Sequence, residues 1–164
     1  MTQKFIFHTP SKSDGLAVSR LVNACPPLDN NSVYCNLLQC HHFADTSVVA
    51  KKEGDLVGFV SGYMVPGKPN TLFIWQVAVD AKARGNGLAS QMIQEIIDRS
   101  DDTDVTWLET TITADNKASL ALFEKLARER GGMVKRTVMF DKQQHFSNEH
   151  DTEYLMRIGP LGSK

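Results

Sequence analysis

All three cysteines of the chain and two of its five histidines lie within one short segment, CPPLDNNSVYCNLLQCHHF, from Cys25 to Phe43. Thiolates and imidazoles are the ligands that zinc prefers, so this segment raises the question of a metal site. Structural zinc sites favour close pairs of the form C-x₂₋₄-C and H-x₃₋₅-H. Here the cysteines are ten and five residues apart and the histidines are adjacent. The spacing therefore predicts no zinc site and no metal cofactor.

A second segment that could do chemistry is AKARGNGLAS, residues 81–90. Gly85 and Gly87 let backbone N–H groups turn inward, and a helix beginning just after them would add unpaired N–H donors and its positive dipole end. A loop of this kind can bind an anion such as a pyrophosphate. In the alternative interpretation, the two glycines only form the turn into the helix.

Two familiar phosphate-binding motifs do not fit this loop. The P-loop string G-x-x-x-x-G-K-[ST] does not occur in the sequence. The dinucleotide fingerprint needs a glycine or alanine where this loop has Ser90. It also needs glycines directly after a strand, whereas Gly85 and Gly87 do not follow the strand immediately. Glu109 lies at a distance that suits a ribose-binding acid. A nucleotide-binding oxidoreductase that uses Gly85, Gly87 and Glu109 therefore stays an alternative.

The hydrophobic pattern predicts the elements that must position the loop. Thr71–Val79 is almost continuously apolar, as expected of a central strand buried on both faces. Residues 88–97 are apolar along one helical face and polar along the other, which predicts an amphipathic helix. The loop is therefore expected to connect a buried strand to a helix N-terminus.

Turn and capping residues separate the other expected elements. Ser13 and Asp14 offer an N-cap to the first helix, and Asp115 offers one to a later helix that Gly131 and Gly132 close. Before the central strand we expect a strand at 4–8, a helix with an apolar face of Ala17, Val18, Leu21, Val22 and Ala24, a short helix at 34–42, and a hairpin of strands 47–51 and 56–64. After the central strand and its helix we expect a strand at 105–111, a helix at 115–126, and strands at 134–140 and 154–158.

Length and composition bound the class of protein. The 164 residues are 41% hydrophobic and 23% charged, with no repeat or linker, which predicts a single globular domain over residues 1–164. The net charge of −1 and the scattered Lys and Arg residues argue against binding of nucleic acid or of a membrane surface. No signal peptide and no membrane-length apolar run is present, so we expect a cytoplasmic protein with reduced thiols.

The loop matches the pattern R-x-x-G-x-A as Arg84-Gly85-Asn86-Gly87-Leu88-Ala89. Between a buried strand and an amphipathic helix, this motif resembles the coenzyme A pyrophosphate loop of the GNAT acetyltransferases, and the order of expected elements is similar to theirs throughout. The resemblance implies an α/β fold with one mixed, largely antiparallel sheet flanked by helices, and a central strand that splays from its neighbour. It implies acetyl-CoA as co-substrate, bound by Val77, Ala78, Val79, Arg84, Gly85, Asn86, Gly87, Leu88, Ala89, Asn116 and Phe123.

One position departs from the family pattern. Many members end the second cofactor segment, N-x-x-[AS]-x-x-L-[YF], with a tyrosine that is taken to protonate the leaving thiolate, whereas this chain has Phe123. Acetyl transfer also needs a neutral amine, and an alkyl ammonium with a pKa of about 10.4 is almost wholly charged at neutral pH. A carboxylate or a water relay must therefore accept a proton, and a group other than residue 123 must supply one.

Three further segments narrow the resemblance. CPPLDNNSVYCNLLQCHHFADTS, WQVAV and HDTEYLMRI closely resemble the diaminobutyrate acetyltransferases of ectoine biosynthesis, with similarity from about residue 8 to about residue 160. The resemblance implies acetylation of the 4-amino group of L-2,4-diaminobutyrate by a homodimer, giving N4-acetyl-L-2,4-diaminobutyrate, the precursor of a compatible solute against osmotic stress. It implies a substrate site of Asp29, Tyr34, Trp75, His150 and Glu153, with Tyr34 and Glu153 as catalytic residues.

Each of these five residues also has an ordinary structural interpretation. Asp29 would form an Asx turn, Tyr34 would pack against its neighbours, and Trp75 would belong to the core. His150 would be a solvated loop residue, and Glu153 would be a charged residue at a strand edge. Asp29, Glu109 and Glu153 are all candidate proton acceptors. Two alternative functions stay open. The chain could be a GNAT enzyme for another small diamine or amino acid, such as a polyamine, lysine or ornithine, or a non-catalytic acetyl-CoA-binding module without the usual tyrosine.

Overall fold

The computed structural model describes residues 4–26, 28, 31–99 and 104–162, and the chain forms two compact units. The first unit comprises Met1–Tyr63 and Ile74–Asp102, and the second comprises Met64–Phe73 and Thr103–Lys164. Each unit is thus built from two separate segments of the chain. Neither corresponds to one continuous stretch of sequence.

The first unit begins with the short strand β1 (Ile6–His8) and two helices, α1 (Gly15–Asn23) and α2 (Val33–His41), as predicted. The expected apolar face of α1 is wrong at both ends. Ala17 and Ala24 are exposed, and the buried positions are Gly15, Val18, Ser19, Leu21 and Val22. The face is rotated because α2 approaches α1 at Gly15, where an added Cβ would lie 2.5 Å from Leu37 Cδ2.

Strands β2 (Val48–Lys52) and β3 (Asp55–Met64) form the predicted hairpin. They pair antiparallel from Val48 opposite Val60 to Lys52 opposite Asp55, and β1 pairs antiparallel with β2. The two turn residues, Glu53 and Gly54, both have positive φ angles, 52° and 86°. This is the left-handed turn geometry that matches the twist of a hairpin.

Strand β4 (Thr71–Val79) and helix α3 (Leu88–Arg99) lie where the hydrophobic pattern predicted them. The buried face of α3 includes Met92, Ile93 and Ile96. The expectation that β4 is buried on both faces is wrong at Trp75, whose side chain is 43% exposed in the middle of the strand. The indole is thus available for a ligand contact in the middle of a largely apolar strand.

The second unit contains β5 (Trp107–Ile112), α4 (Lys117–Arg130), β6 (Met133–Phe140) and β7 (Glu153–Gly159). The first residues of β4 pair parallel with β5, and β7 pairs antiparallel with both β5 and β6. The N-cap of α4 is Asn116 and not the predicted Asp115. Asn116 Oδ1 accepts from the Ser119 N–H at 3.2 Å, whereas Asp115 Oδ1 accepts from Thr113 Oγ1 at 2.8 Å.

The seven strands follow the order β1-β2-β3-β4-β5-β7-β6 in one sheet. Strand β4 pairs parallel with β5, and the pairings β1–β2, β2–β3, β5–β7 and β6–β7 are antiparallel. The predicted α/β architecture, a mixed and largely antiparallel sheet with helices, is confirmed. The expected splay of β4 from its neighbour stays a prediction. Among the described residues, no helix has both the length and the apolar character that a membrane span requires.

Candidate active site

The cysteines of the segment Cys25–Phe43 are free thiols, and two of them belong to the core. Cys25 and Cys40 pack in one hydrophobic cluster with residues of α1, β2 and β3. Burial raises the pKa of the Cys40 thiol to about 12, and the negative charge of Asp14 adds to the effect. Such a thiol is a poor metal ligand, because metals bind the thiolate. In the described part of the chain, no group of three or more His, Cys, Asp or Glu residues could hold a metal ion.

The loop before α3 has a backbone geometry that its glycines permit. Gly85 and Gly87 have φ angles of 84° and 69°, in the left-handed region that residues with a Cβ rarely adopt. A Cβ on Gly85 would meet no atom within 4 Å, so the backbone conformation and not crowding requires glycine there. Residues 84–87 are exposed, and α3 begins directly after them. The loop is accessible to a ligand.

Side chains engage three carbonyl oxygens of this loop. Asn86 Nδ2 donates to the Ala83 carbonyl at 3.0 Å and to the Arg84 carbonyl at 3.3 Å, and Gln91 Nε2 donates to the Asn86 carbonyl at 3.2 Å. These oxygens would repel an anion, so holding them in hydrogen bonds favours contact through N–H groups. The first N–H groups of α3 have no partner within the helix. The arrangement suits a pyrophosphate.

The end of β4 is joined to the same loop through one carbonyl group. The Val79 carbonyl accepts from Arg84 Nε at 3.3 Å and from Cys25 Sγ at 3.4 Å. The preceding residues, Val77 and Ala78, are half-buried and buried. A cofactor arm that used the Val79 carbonyl would compete with two partners from the chain itself.

Tyr34 lies in the first turn of α2, and its side chain is 70% exposed. The helix begins at a Ser32 N-cap, whose Oγ accepts from the Cys35 N–H at 3.1 Å. The buried side of α2 carries Asn36, whose Nδ2 donates to Gln39 Oε1 at 2.9 Å. Because the Tyr34 side chain is 70% exposed, the interpretation of Tyr34 as a packing residue is wrong. Asp29, the other predicted residue in this segment, lies outside the described residues.

The indole of Trp75 contacts two other aromatic rings. The ring centroid of Trp75 lies 6.2 Å from that of Phe43 and 6.0 Å from that of Tyr63, with interplanar angles of 79° and 84°. The ring centroids of Phe43 and Tyr63 are 6.0 Å apart. Neither residue was among the predicted site residues. No local pattern marks them, because each contact joins residues that are distant in sequence.

His150 and Glu153 form a pair in the second unit. His150 Nε2 lies 3.8 Å from Glu153 Oε1, and His150 Nδ1 lies 2.6 Å from the Asp151 carbonyl oxygen. A carbonyl oxygen can only accept, so Nδ1 carries a proton and Nε2 faces the carboxylate. The His150 ring packs on Phe146 at a centroid distance of 4.5 Å. His150 is thus a partly exposed loop residue whose ring also packs on Phe146, and its role in a substrate site stays a prediction.

The second predicted cofactor segment is the start of α4. Asn116 provides the N-cap through its Oδ1, which leaves its Nδ2 for a further contact. Phe123 is 2% exposed and lies on the buried side of α4 with Leu126 and Ala127. Its ring therefore contributes to the core, and a cofactor contact of Phe123 stays a prediction.

Glu109 is not free to act as a base. The residue is 2% exposed, and its carboxylate accepts from Arg157 Nη1 at 2.8 Å and lies 3.2 Å from Lys68 Nζ. The Arg157 guanidinium also lies 4.2 Å over the Trp107 ring. Arg157 and Lys68 occupy the carboxylate of Glu109, as in a buried structural ion pair. This removes Glu109 from the candidate proton acceptors and from a ribose-binding role.

The predicted site residues divide between the two units. The strand end and loop from Val77 to Ala89 lie in the first unit with Tyr34 and Trp75, whereas Asn116, Phe123, His150 and Glu153 lie in the second. Of these residues, the structure brings together the strand end with the loop, and His150 with Glu153.

Comparison with known proteins identifies close relatives along almost the whole chain. The Acetyltransferase (GNAT) family profile matches residues 17–127. The L-2,4-diaminobutyric acid acetyltransferase of Methylotuvimicrobium alcaliphilum is 54% identical over 93% of this chain and 88% of that protein. Its counterpart from Vibrio cholerae is 51% identical over 97% of this chain and 91% of that protein.

Solved structures agree with these relatives. The diaminobutyrate acetyltransferase EctA from Paenibacillus lautus, in complex with its substrate L-2,4-diaminobutyric acid and coenzyme A, superposes with a TM-score of 0.91, 34% identity and coverage of 99% of both chains. Ard1 from Thermoplasma volcanium has a TM-score of 0.76 at 17% identity, over 98% of this chain and 99% of that one, and so shares the fold. The chain belongs to the GNAT acetyltransferase family and, within it, to the diaminobutyrate acetyltransferases.

Proposed function

We propose that this chain transfers the acetyl group of acetyl-CoA to the 4-amino group of L-2,4-diaminobutyrate, giving N4-acetyl-L-2,4-diaminobutyrate and coenzyme A. The observation that carries the proposal is the likeness to the Paenibacillus lautus enzyme, which extends over 99% of both chains and whose structure contains that substrate and coenzyme A. We further propose that this product enters ectoine biosynthesis and that the cellular role of the chain is protection against osmotic stress.

The loop and strand end of the first unit bind the cofactor in this proposal. The pyrophosphate contacts the N–H groups of Arg84, Gly85, Asn86, Gly87, Leu88 and Ala89, and the pantetheine arm follows the main chain of Val77, Ala78 and Val79. The exposed left-handed glycines and the engaged loop carbonyls support this assignment. Asn116 and Phe123 supply the second cofactor segment.

Asp29, Tyr34, Trp75, His150 and Glu153 bind the substrate amino acid. Diaminobutyrate carries two ammonium groups and one carboxylate, so carboxylate side chains and an aromatic face suit its amine ends. Asp29 and Glu153 are the carboxylates of this set. The exposed indole of Trp75 supplies the aromatic face.

The reaction must move protons as well as the acetyl group. The neutral 4-amino nitrogen attacks the thioester carbonyl carbon, the C–S bond breaks, the nitrogen loses one proton and the thiolate gains one. Glu153, paired with His150, accepts the proton of the amine. Tyr34 donates the proton to the thiolate, because Phe123 has none to give.

Turnover of a panel of amines tests the substrate. We expect diaminobutyrate to be acetylated with a kcat/KM at least about a hundredfold above that of ornithine, lysine or putrescine, because a site built for a carboxylate and two amines at fixed spacing rejects longer or decarboxylated analogues. Faster acetylation of putrescine or ornithine would contradict the assignment. Tight coenzyme A binding without turnover of any amine would instead support a non-catalytic binding module.

Three further properties are part of the proposal. The chain is one domain over residues 1–164, since each compact unit is discontinuous in sequence. It works in the cytoplasm, where its free thiols stay reduced. It forms a homodimer, which the exposed apolar residues of β6, the last strand in the sheet order, support. A single cooperative unfolding transition and a dimeric mass in solution are the expected observations.

A further inference from the structure

We infer that Phe43 and Tyr63 are positioning residues for Trp75 and thereby set the affinity for the amine substrate. The three rings are called the aromatic cluster below. The inference rests on the proposed function, because it assigns a role to two residues that support a proposed substrate contact. Neither Phe43 nor Tyr63 is itself assigned a contact with the substrate.

The geometry of the aromatic cluster restrains the indole from two sides. Both Phe43 and Tyr63 meet Trp75 nearly perpendicularly, at interplanar angles of 79° and 84°, with centroids 6.2 Å and 6.0 Å away. Edge-to-face contacts at these distances are attractive and depend on orientation. A rotation of the indole about its side-chain bonds would break both contacts. Trp75 therefore has one preferred orientation although 43% of its surface is exposed.

Hydrogen bonds from Thr46 and Ser47 hold the backbone near the two supporting residues together. Ser47, which is fully buried, donates through Oγ to the Phe43 carbonyl at 2.7 Å and accepts from the Gly62 N–H at 3.3 Å. Thr46 Oγ1 donates to the Gly62 carbonyl. The segment that carries Phe43 is thus tied to β3 at the residue immediately before Tyr63. The backbone segments that carry the two rings are therefore held close together.

This rigidity has a consequence for binding. A cation–π contact falls off when the cation leaves the ring face, so an indole with a fixed plane binds an ammonium better than one that samples several orientations. Phe43 and Tyr63 remove that freedom before the substrate arrives. Their loss should weaken diaminobutyrate binding without changing the cofactor loop, to which neither ring belongs.

The fluorescence of Trp75 tests the inference directly. The chain has two tryptophans, so Trp107→Phe leaves Trp75 as the sole indole. In this background we expect diaminobutyrate to change the Trp75 emission. Tyr63→Leu and Phe43→Leu should each lower the Trp75 anisotropy and raise the KM for diaminobutyrate about three- to tenfold, with the KM for acetyl-CoA unchanged. Tyr63→Phe keeps the ring and should retain native values.

Two controls separate failure of the inference from failure of the proposed function. Trp75→Leu should raise the KM for diaminobutyrate at least as much as either supporting variant, and an unchanged KM would refute the substrate site itself. If Trp75→Leu raises the KM but Tyr63→Leu and Phe43→Leu do not, the positioning role is refuted. A Tyr63→Phe variant as impaired as Tyr63→Leu would also overturn it, because the hydroxyl and not the ring would then matter.

A matched core variant excludes a general effect of lost packing. Phe59 lies on the same strand as Tyr63, is fully buried, and packs with α1 and α2. Phe59→Leu should lower the melting temperature but leave the Trp75 anisotropy and the KM for diaminobutyrate unchanged. An equal rise in KM for Phe59→Leu would mean that destabilisation alone explains the effect.

Discussion

His150 Nε2 lies 3.8 Å from Glu153 Oε1, while His150 Nδ1 donates to the Asp151 carbonyl at 2.6 Å. The backbone carbonyl fixes the proton on Nδ1, so the nitrogen facing Glu153 is the basic one. Glu153 Oε1 and the unprotonated Nε2 of His150 are thus two proton-accepting atoms 3.8 Å apart. In the proposed reaction, this pair receives the proton that the substrate amine releases.

Replacement of Glu153 tests this proton-accepting role. Glu153→Gln keeps the shape of the side chain but removes the charge, so we expect kcat to fall about a hundredfold or more with coenzyme A affinity unchanged. Steady-state kinetics and calorimetric titration measure the two quantities. Glu149→Gln is the matched control, because Glu149 is an exposed carboxylate of the same loop, and it should retain native kcat. Equal kcat in both variants would remove Glu153 from catalysis.

The glycines of the loop before α3 give a second prediction. Gly87→Val should cost about 1 to 2 kcal/mol of stability through its positive φ and raise the KM for acetyl-CoA at least about tenfold by filling the ligand side of the loop. Gly67→Val is the control, because Gly67 has a similar φ of 78° and no atom within 4 Å of a Cβ. A rise in KM for Gly67→Val as large as that for Gly87→Val would refute the anion site.

Elements with a strong local signal were predictable from the sequence, and long-range contacts were not. α3 and the β2–β3 hairpin follow from periodicity and turn chemistry, which involve residues close together in the chain. The face of α1 depends on where Leu37 approaches Gly15, and no pattern within α1 contains that information. The N-cap of α4 was misplaced by one residue because Asp115 and Asn116 are both good caps.

The candidate site likewise contains residues that were predictable from the sequence and residues that were not. The loop glycines were predictable, because a left-handed backbone leaves a signature in residue type. The exclusion of Glu109 as a proton acceptor was not predictable, since its partners Lys68 and Arg157 are 41 and 48 residues away in the sequence. Phe43 and Tyr63 likewise needed three-dimensional contacts with Trp75 before any role could be assigned.

Removal of the Glu109 charge should affect stability and not chemistry. Glu109→Gln leaves Arg157 without its buried partner, so we expect the free energy of unfolding to fall by about 3 kcal/mol. The kcat of the folded protein should stay within about twofold of native. Chemical denaturation and kinetics at a temperature well below the transition separate the two effects. A large loss of kcat at native stability would return Glu109 to the list of candidate bases.

The pKa of Cys40 predicts a loss of stability at alkaline pH. The folded protein keeps the thiol proton up to a pH of about 12, whereas an unperturbed thiol loses it near 9.0. Between these values the unfolded state binds fewer protons, so the free energy of unfolding falls as pH rises from 9.0. Cys40→Val should reduce the slope of this fall, measured by urea denaturation at several pH values. An identical slope in both proteins would contradict the role of Cys40.

The exposed strand β6 gives the last prediction. Met133, Val134, Val138, Met139 and Phe140 are all at least 40% exposed, and β6 ends the sheet order beside β7. An edge strand with this much apolar surface favours pairing with a second copy of the chain. Val138→Lys should therefore convert the proposed dimer to a monomer, as measured by sedimentation velocity. Leu16→Lys, at an exposed apolar position on α1, should leave the dimer intact, because α1 lies outside this surface. A dimer that survives Val138→Lys would place the interface elsewhere.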